Sequence, residues 1–312
     1  MHVFIKRLLF LLGVVLVLLL ASFTYHRLAL QREKASLNPI GQMVSVDGHE
    51  MSVFVKGQGP KTLVFLSGAG TASPILDFKE LYNGLSKEYK IVVVERAGYG
   101  YSEDTSKSRD VAVVLSETRQ ALAKAHVSGP YIVISHSMAS LETLLWQEKY
   151  PSEIQAVIGL DWALPESYSQ LKMHPQMLRL ARWGSQLGLL RYLPSRLYMP
   201  NENLNSSDRR LYQRIAYRQI LSQAMLNEGL CVKENAKKVD TKINSQIPTL
   251  LLVSNGEGTG FSQEEWRHYA TRFAKGQKNI ELTFYDAPHY LYHYHTKEVV
   301  AKIEDFIKET TD

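Results

Sequence analysis

The sequence predicts an α/β fold in which a mostly parallel sheet is flanked by helices and interrupted late by a helical insertion. Three observations carry this. Short, almost wholly apolar runs at 62–66, 91–94, 131–134, 156–160 and 249–253 alternate with amphipathic stretches. The runs lack the every-second-residue polarity of a sheet with one wet face, so their strands are buried on both sides, as in a parallel sheet covered by helices. From about 162 to 244 the alternation stops, no strand pattern appears, and the apolar spacing is helical.

In chain order, the first segment is of another kind. After Lys6 and Arg7, residues 8–23 carry no charge, and with Thr24 and Tyr25 they approach the roughly 17–25 residues needed to cross a bilayer. No small-x-small cleavage pattern follows, and Tyr25 and His26 are of the interfacial type. The expectation is an uncleaved transmembrane anchor over 1–27 whose basic start stays in the cytoplasm, leaving the catalytic-sized domain extracytoplasmic; a cleaved signal peptide is the competing reading. Residues 28–41 are expected to form a polar tether through Asn38-Pro39, and residues 42–312 the folded domain with the helical cap 162–244 inserted.

Residues 44–46 and 51–55 flank Asp47-Gly48, the residue pair of a tight hairpin turn. Helices near 76–88, 110–126 and 138–150 separate the strands that follow. Inside 162–244, Met177, Leu178, Leu180, Ala181, Leu187, Leu189 and Leu190, and then Leu211, Ile215, Ile220 and Leu221, form apolar stripes among arginines; most of these positions are expected to face a core. Residues 175–194, basic on one side and apolar on the other, also suit a membrane surface. Strands resume at 249–253 and 281–285 around a helix at 264–274, and a helix over 297–308 ends the pattern. An insertion so placed caps the strand ends, where doubly wound sheets bind ligands.

The 312 residues, 45% of them apolar and 21% charged, suffice for a sizeable core. The net charge of +5 is interspersed, with no basic run carrying interleaved aromatics, which argues against a nucleic-acid partner. Cys231 is the sole cysteine, excluding an internal disulfide and a Cys-rich metal site.

Four segments carry chemistry. The β-branched run 131–134 leads through Ser135-His136 into Ser137-Met138-Ala139, a strand that turns sharply into a helix around one serine. Such an elbow pushes the hydroxyl above the sheet and turns helix N–H groups toward any negative charge developing beside it. Ser135 and Ala139 stand where the usual elbow has two glycines, and capping chemistry is the bland alternative. Ser67-Gly68-Ala69-Gly70 is a small-residue loop after the strand at 62–66. Glu95-Arg96-Ala97-Gly98-Tyr99-Gly100-Tyr101-Ser102 follows the strand at 91–94, and Asp286-Ala287-Pro288-His289 the strand at 281–285.

These segments, in this order, resemble the α/β-hydrolase superfamily from about Gln42 onward. The Arg96 string is similar to an Asp-Arg-x-Gly-x-Gly-x-Ser signature of that family, with Glu95 in place of the aspartate. The resemblance implies the α/β-hydrolase fold with its mostly parallel eight-stranded sheet, Ser137 as nucleophile and His289 as general base. For the acid it leaves two positions open: Glu257, where the family's usual acid falls after the seventh strand, and Asp161, at the end of the sixth, with a slight preference for the more rigidly held Asp161. An oxyanion hole would use the backbone N–H groups of Met138 and Ala69, although Ser67 replaces the histidine that often begins this loop. Arg96 and Ser102 are expected to brace loops, Glu142 to be a buried polar partner, and His136 to pack beside the nucleophile. His293 and His295 suit a surface helix start; a metal site is the other reading, but no carboxylate or cysteine stands at a recognisable spacing to complete it.

A serine needs a base to attack a carbonyl, so the implied activity is a membrane-bound serine hydrolase that cleaves a small-molecule ester or acyl substrate through an acyl-enzyme. No cofactor and no metal are implied. Amide, peptide and carbon–carbon bond hydrolysis by the same residues stays open, as does a catalytically inactive binding protein on the same scaffold. A serine nucleophile does not serve the epoxide and haloalkane chemistry of relatives that carry a carboxylate at the elbow.

Overall fold

The computed structural model describes Met1–Thr311. Helix α1 (His2–Lys34) leads into a hairpin of β1 (Gln42–Val46) and β2 (His49–Lys56), followed by β3 (Thr62–Leu66), α2 (Pro74–Asp77), α3 (Lys79–Leu85), β4 (Lys90–Glu95), α4 (Val111–Lys124), β5 (Tyr131–His136), α5 (Ala139–Lys149) and β6 (Ile154–Leu160). The cap comprises α6 (Pro165–Gln170), α7 (Pro175–Gln186), α8 (Ser206–Gln219) and α9 (Gln223–Lys237). After it come β7 (Thr249–Val253), α10 (Gln263–Ala274), β8 (Ile280–Phe284), α11 (Leu291–Tyr294) and α12 (Thr296–Thr311).

The eight strands form one sheet in the order β1-β2-β4-β3-β5-β6-β7-β8. Only the β1–β2 and β2–β4 pairs are antiparallel. The hairpin turn takes left-handed backbone at both Asp47 and Gly48, the conformation for which this pair is selected. The central strands are buried on both faces. Val64, Val133, Val157 and Leu251 join the core under α4, α5 and α10; Leu63, Ile132, Ile158 and Leu252 join the opposite one under α3 and α12. All parallel strands end on one edge, and the register that pairs His136 with Leu160 places Ser137 and Asp161 as the next residues of neighbouring strands.

Two expectations about local structure are revised. The tether begins later than residue 28, because α1 continues to Lys34: residues 28–34 are mainly strong helix formers, and the first breakers are Asn38 and Pro39. The helix α7 buries none of its residues, and Met177 and Leu180 of its stripe are exposed, unlike Tyr212, Ile215 and Ala216 of α8, which face a core. Helix α1 is long and apolar enough to cross a membrane, and its apolar window is unburied. Its hydrogen bonds with the cap come from Ser22, His26 and Glu33. Ser22 Oγ donates to the Leu187 carbonyl (2.7 Å), and Arg191 donates to His26 Nδ1 (2.9 Å) and to both carboxylate oxygens of Glu33 (2.8 and 2.7 Å).

Candidate active site

Ser137 follows the last residue of β5 with a φ of 53°, a left-handed conformation that costs an L-residue about 1–2 kcal/mol. The surroundings hold it there. Its N–H donates to Leu160 O (3.2 Å), and its carbonyl accepts from Ser140 N (3.1 Å) and Ala163 N (3.2 Å). Ser135, in the place of a glycine, is buried with its hydroxyl accepting from Trp162 Nε1 and Thr143 Oγ1 (both 2.9 Å). The larger residue fits because its one polar atom is satisfied.

Asp161 repeats the arrangement one strand away. It follows β6 with a φ of 47°, and its N–H donates to Leu252 O (2.8 Å). Its carboxylate is buried and fully engaged. Oδ1 accepts from the Ser254 N–H (2.7 Å) and from Trp266 Nε1 (2.8 Å), and Oδ2 lies 2.6 Å from His289 Nδ1. A carboxylate can only accept here, so Nδ1 carries the ring proton and Nε2, 2.8 Å from Ser137 Oγ, is left to accept from the serine hydroxyl. The structure thus brings Ser137, His289 and Asp161 together. It does not bring the Glu257 side chain to them: that residue is exposed, and its contact with His289 is through the backbone, where Glu257 O accepts from His289 N (2.8 Å).

His136 fixes the other end of the histidine loop. Its ring is buried 4.6 Å from those of His289 and Tyr290, and Nε2 donates to the His289 carbonyl (3.2 Å). Burial, reinforced by the His289 charge, pushes its pKa well below the ordinary histidine range, so it remains neutral and keeps that bond. Gly68 packs on this pair. A Cβ there would come within 2.8 Å of His136 Nδ1 and 2.9 Å of Ser137 Cβ, so only glycine lets the loop bearing Ala69 approach the serine.

The loop is also held from below. Arg96 Nη2 donates to Gly68 O (3.2 Å), and its guanidinium lies 3.7 Å from Glu142 and 3.6 Å from Glu228. Tyr99 Oη donates to Glu228 (2.6 Å), and Arg109 to Glu117 (2.6 Å). Glu95 sits at the foot of the same turn. Its carboxylate accepts from Tyr101 N (2.9 Å), and a Cβ at position 100 would fall within 2.2 Å of three of its atoms. Burial raises the Glu95 pKa to about 7 against the hydrogen bonds that lower it. Ser102 Oγ donates to Glu95 O (2.6 Å) and accepts from Ser52 N (2.8 Å), bracing the turn.

Above the serine lies a cavity of about 380 Å³ bounded by Ala69, Met138, Leu171, Met173, Leu178, Val232, Phe261 and Trp266. Its walls combine the elbow, the loop after β3, the cap and the loop after β7. His293 is not at a surface. It is buried with Nε2 3.4 Å from Asp77 Oδ1 and stacks on Tyr290, whereas His295 is half-buried beside Glu298. Among the described residues no group of three or more metal-ligating side chains gathers. Sequence reasoning did not reach Trp266, Ser254 or Glu228. Ser254 carried a weak signal as the first residue past β7; the others stand on helices, with no spacing to mark them.

A serine elbow on a doubly wound sheet, with a histidine past the last strand and a helical cap, defines an α/β hydrolase. Comparison with known proteins agrees: the alpha/beta hydrolase family profile matches residues 63–303, and the chain belongs to that family. It is 38% identical over 249 residues to the uncharacterized protein YbdG of Bacillus subtilis, covering 77% of this chain and 76% of that one. Among solved structures, an esterase from Exiguobacterium antarcticum superposes with a TM-score of 0.67 at 13% identity, over 86% of this chain and 99% of that one. An epoxide hydrolase from Bacillus megaterium does so with a TM-score of 0.63 at 18% identity, over 86% and 100%. At these identities the two superpositions speak for the fold alone.

Proposed function

We propose that this α/β hydrolase is a membrane-anchored serine hydrolase of carboxylic esters that works through an acyl-enzyme. The observation that carries the reading is the pair of hydrogen bonds linking Ser137 Oγ to His289 Nε2 (2.8 Å) and His289 Nδ1 to Asp161 Oδ2 (2.6 Å). Ser137 Oγ attacks the ester carbonyl while His289 takes its proton, and Asp161 holds the tautomer and stabilises the imidazolium. The N–H groups of Met138 and Ala69, two residues that line the cavity, receive the oxyanion; one such donor is worth about 2.7–4 kcal/mol in the transition state. The imidazolium returns the proton to the leaving alcohol. Water, deprotonated by the same ring, then releases the acid and frees Ser137.

A serine favours acyl transfer over epoxide opening, because a serine ether left by epoxide attack would lack the carbonyl that water needs to discharge it. The retained anchor is supported by the burial of Ser22 against the cap. Removal of residues 1–25 would strip the Ser22 hydroxyl from Leu187 O. A fluorophosphonate probe tests the chemistry: it labels the full chain and not Ser137→Ala, and equal labelling of both, or none of the wild type, would refute the nucleophile. Membrane fractionation tests the anchor, and recovery of a detergent-independent protein beginning after residue 25 would refute it.

A further inference from the structure

Helix α7 is apolar on the side that nothing in the chain covers. Met177, Leu180 and Trp183 are 63%, 65% and 68% exposed, and beyond the helix Tyr192, Leu193 and Leu197 are 63%, 48% and 66% exposed. Spacings of three place the first three along one face. The opposite face is engaged: Leu178 lines the cavity over Ser137, Arg182 donates to Leu221 O, and Ser185 Oγ donates to Ile220 O (2.9 Å). One helix thickness therefore separates the uncovered apolar face from the candidate active site.

Two further observations say what covers that face. The first is position. The segment leaving α7 is fixed to α1 where the uncharged run 8–23 ends: Ser22 bonds Leu187 O (2.7 Å), and a Cβ on Gly188 would lie 2.5 Å from His26 Cβ. A helix that crosses a bilayer with its apolar run brings Leu187 and Gly188 to the membrane boundary. The second is charge. Residues 167–201 contain Lys172, Arg179, Arg182, Arg191 and Arg196 and no acidic residue. A cationic, aromatic-bearing, one-sided helix at the boundary is the pattern of a segment seated in the headgroup layer of an anionic membrane.

We infer that the Met177–Leu180–Trp183 face of the cap lies in the bilayer surface beside α1, and that the substrate is an ester-bearing lipid whose acyl chain reaches Ser137 past Leu171, Met173 and Leu178. The substrate half rests on the ester-hydrolase reading above, and the seating of the cap on the anchor reading alone. Arg191, bonded at once to His26 and Glu33, holds the cap at that depth and limits how far the domain can rotate about the anchor.

The test uses the full chain reconstituted in phosphatidylcholine vesicles containing a minority of phosphatidylglycerol. Of the four tryptophans, Trp146, Trp162 and Trp266 are buried and Trp183 alone is exposed, so quenching by shallow doxyl-labelled lipid reports on Trp183 directly. Strong quenching of the wild type and little of Trp183→Phe is expected; equal quenching would overturn the seating. In parallel, a triple Met177→Ser, Leu180→Ser, Trp183→Ser variant is compared on a water-soluble short-chain ester and on a long-chain glyceride in the vesicles. The soluble ester is expected to be cleaved at the wild-type rate, the glyceride roughly tenfold more slowly, since anchoring by α1 persists and only the seating is lost. Equal glyceride rates in variant and wild type, with the soluble ester cleaved by both, would overturn the lipid inference. Failure of the wild type on the soluble ester would instead overturn the ester-hydrolase reading and the substrate half with it, leaving quenching to decide the seating.

Discussion

Asp161→Asn tests the tautomer-holding role of the acid because the surroundings dictate how an amide would sit there. The carboxylate receives two donors on Oδ1, the Ser254 N–H at 2.7 Å and Trp266 Nε1–H at 2.8 Å, and His289 Nδ1 on Oδ2 at 2.6 Å. An asparagine must keep its oxygen toward the two donors, so its NH₂ faces His289. That turns Nδ1 into an acceptor and moves the ring proton to Nε2, where it points at Ser137 and cannot accept its proton. Reversing the amide restores the useful tautomer but leaves two buried donors unpaired, at about 1–3 kcal/mol each. The productive state is then about 2–6 kcal/mol uphill, a loss of roughly thirtyfold to 10⁴-fold in kcat; the upper end matches the effect of the equivalent change in a serine protease triad. The assay is steady-state hydrolysis of a soluble ester by the full chain in detergent, with thermal unfolding as the control that the isosteric variant is folded. Glu257→Gln, whose side chain is exposed, is expected to leave kcat near the wild-type value. A folded Asp161→Asn within tenfold of wild type, or a larger loss in Glu257→Gln, would refute the argument.

Further expectations follow from the loops beneath the serine. In Gly68→Ala the new methyl would stand within 2.8 Å of His136 Nδ1 and 2.9 Å of Ser137 Cβ, displacing the Ala69 N–H; kcat is expected to fall by about 10²–10³, the worth of one oxyanion donor. Wild-type kinetics in that variant would remove Ala69 from the hole. Glu95 makes stability depend on pH. Its pKa is raised by burial from 4.5 to about 7, so the folded state binds the proton more tightly than the unfolded one. The resulting stabilisation is complete below pH 4.5 and lost as the pH rises through about 7, amounting to about 3 kcal/mol. Chemical denaturation at a series of pH values is expected to show this slope in the wild type and a flatter one in Glu95→Gln; parallel slopes would refute the assignment.

Much of the architecture was legible because the central strands are apolar on both sides, a pattern that only a covered parallel sheet requires. The Asp47-Gly48 turn was equally plain, since both residues sit in left-handed backbone. What periodicity cannot supply is the identity of the covering surface. The stripe of α7 resembles the core-facing stripe of α8, yet Met177 and Leu180 face outward, Leu178 faces the cavity, and Arg182 and Ser185 bond the cap. The acid was ambiguous for a related reason. Whether a carboxylate reaches His289 depends on the backbone turn at Asp161 and on donors 93 and 105 residues further along the chain, none of which local text records. His293 read as a surface residue because Asp77, which buries it, lies far earlier in the sequence. Residues 28–34 are polar enough to suit a tether, but their helix propensity continues α1 through them.

The carboxylate that meets His289 stands just past the end of β6, next door to the serine, and this frees the loop after β7 from a demanding duty. A loop that must hold an acid within a few tenths of an ångström of an imidazole can tolerate little change in length or composition. Here the loop gives only a backbone carbonyl to His289 N and the Ser254 N–H to Asp161, while Gly258, Thr259 and Phe261 form part of the cavity wall. Trp266 joins relay and wall, since it donates to Asp161 and also lines the cavity. Substitutions at Thr259 can reshape the pocket, whereas Phe261 stacks on Trp266, the donor to Asp161 Oδ1, and is tied to the position of the acid.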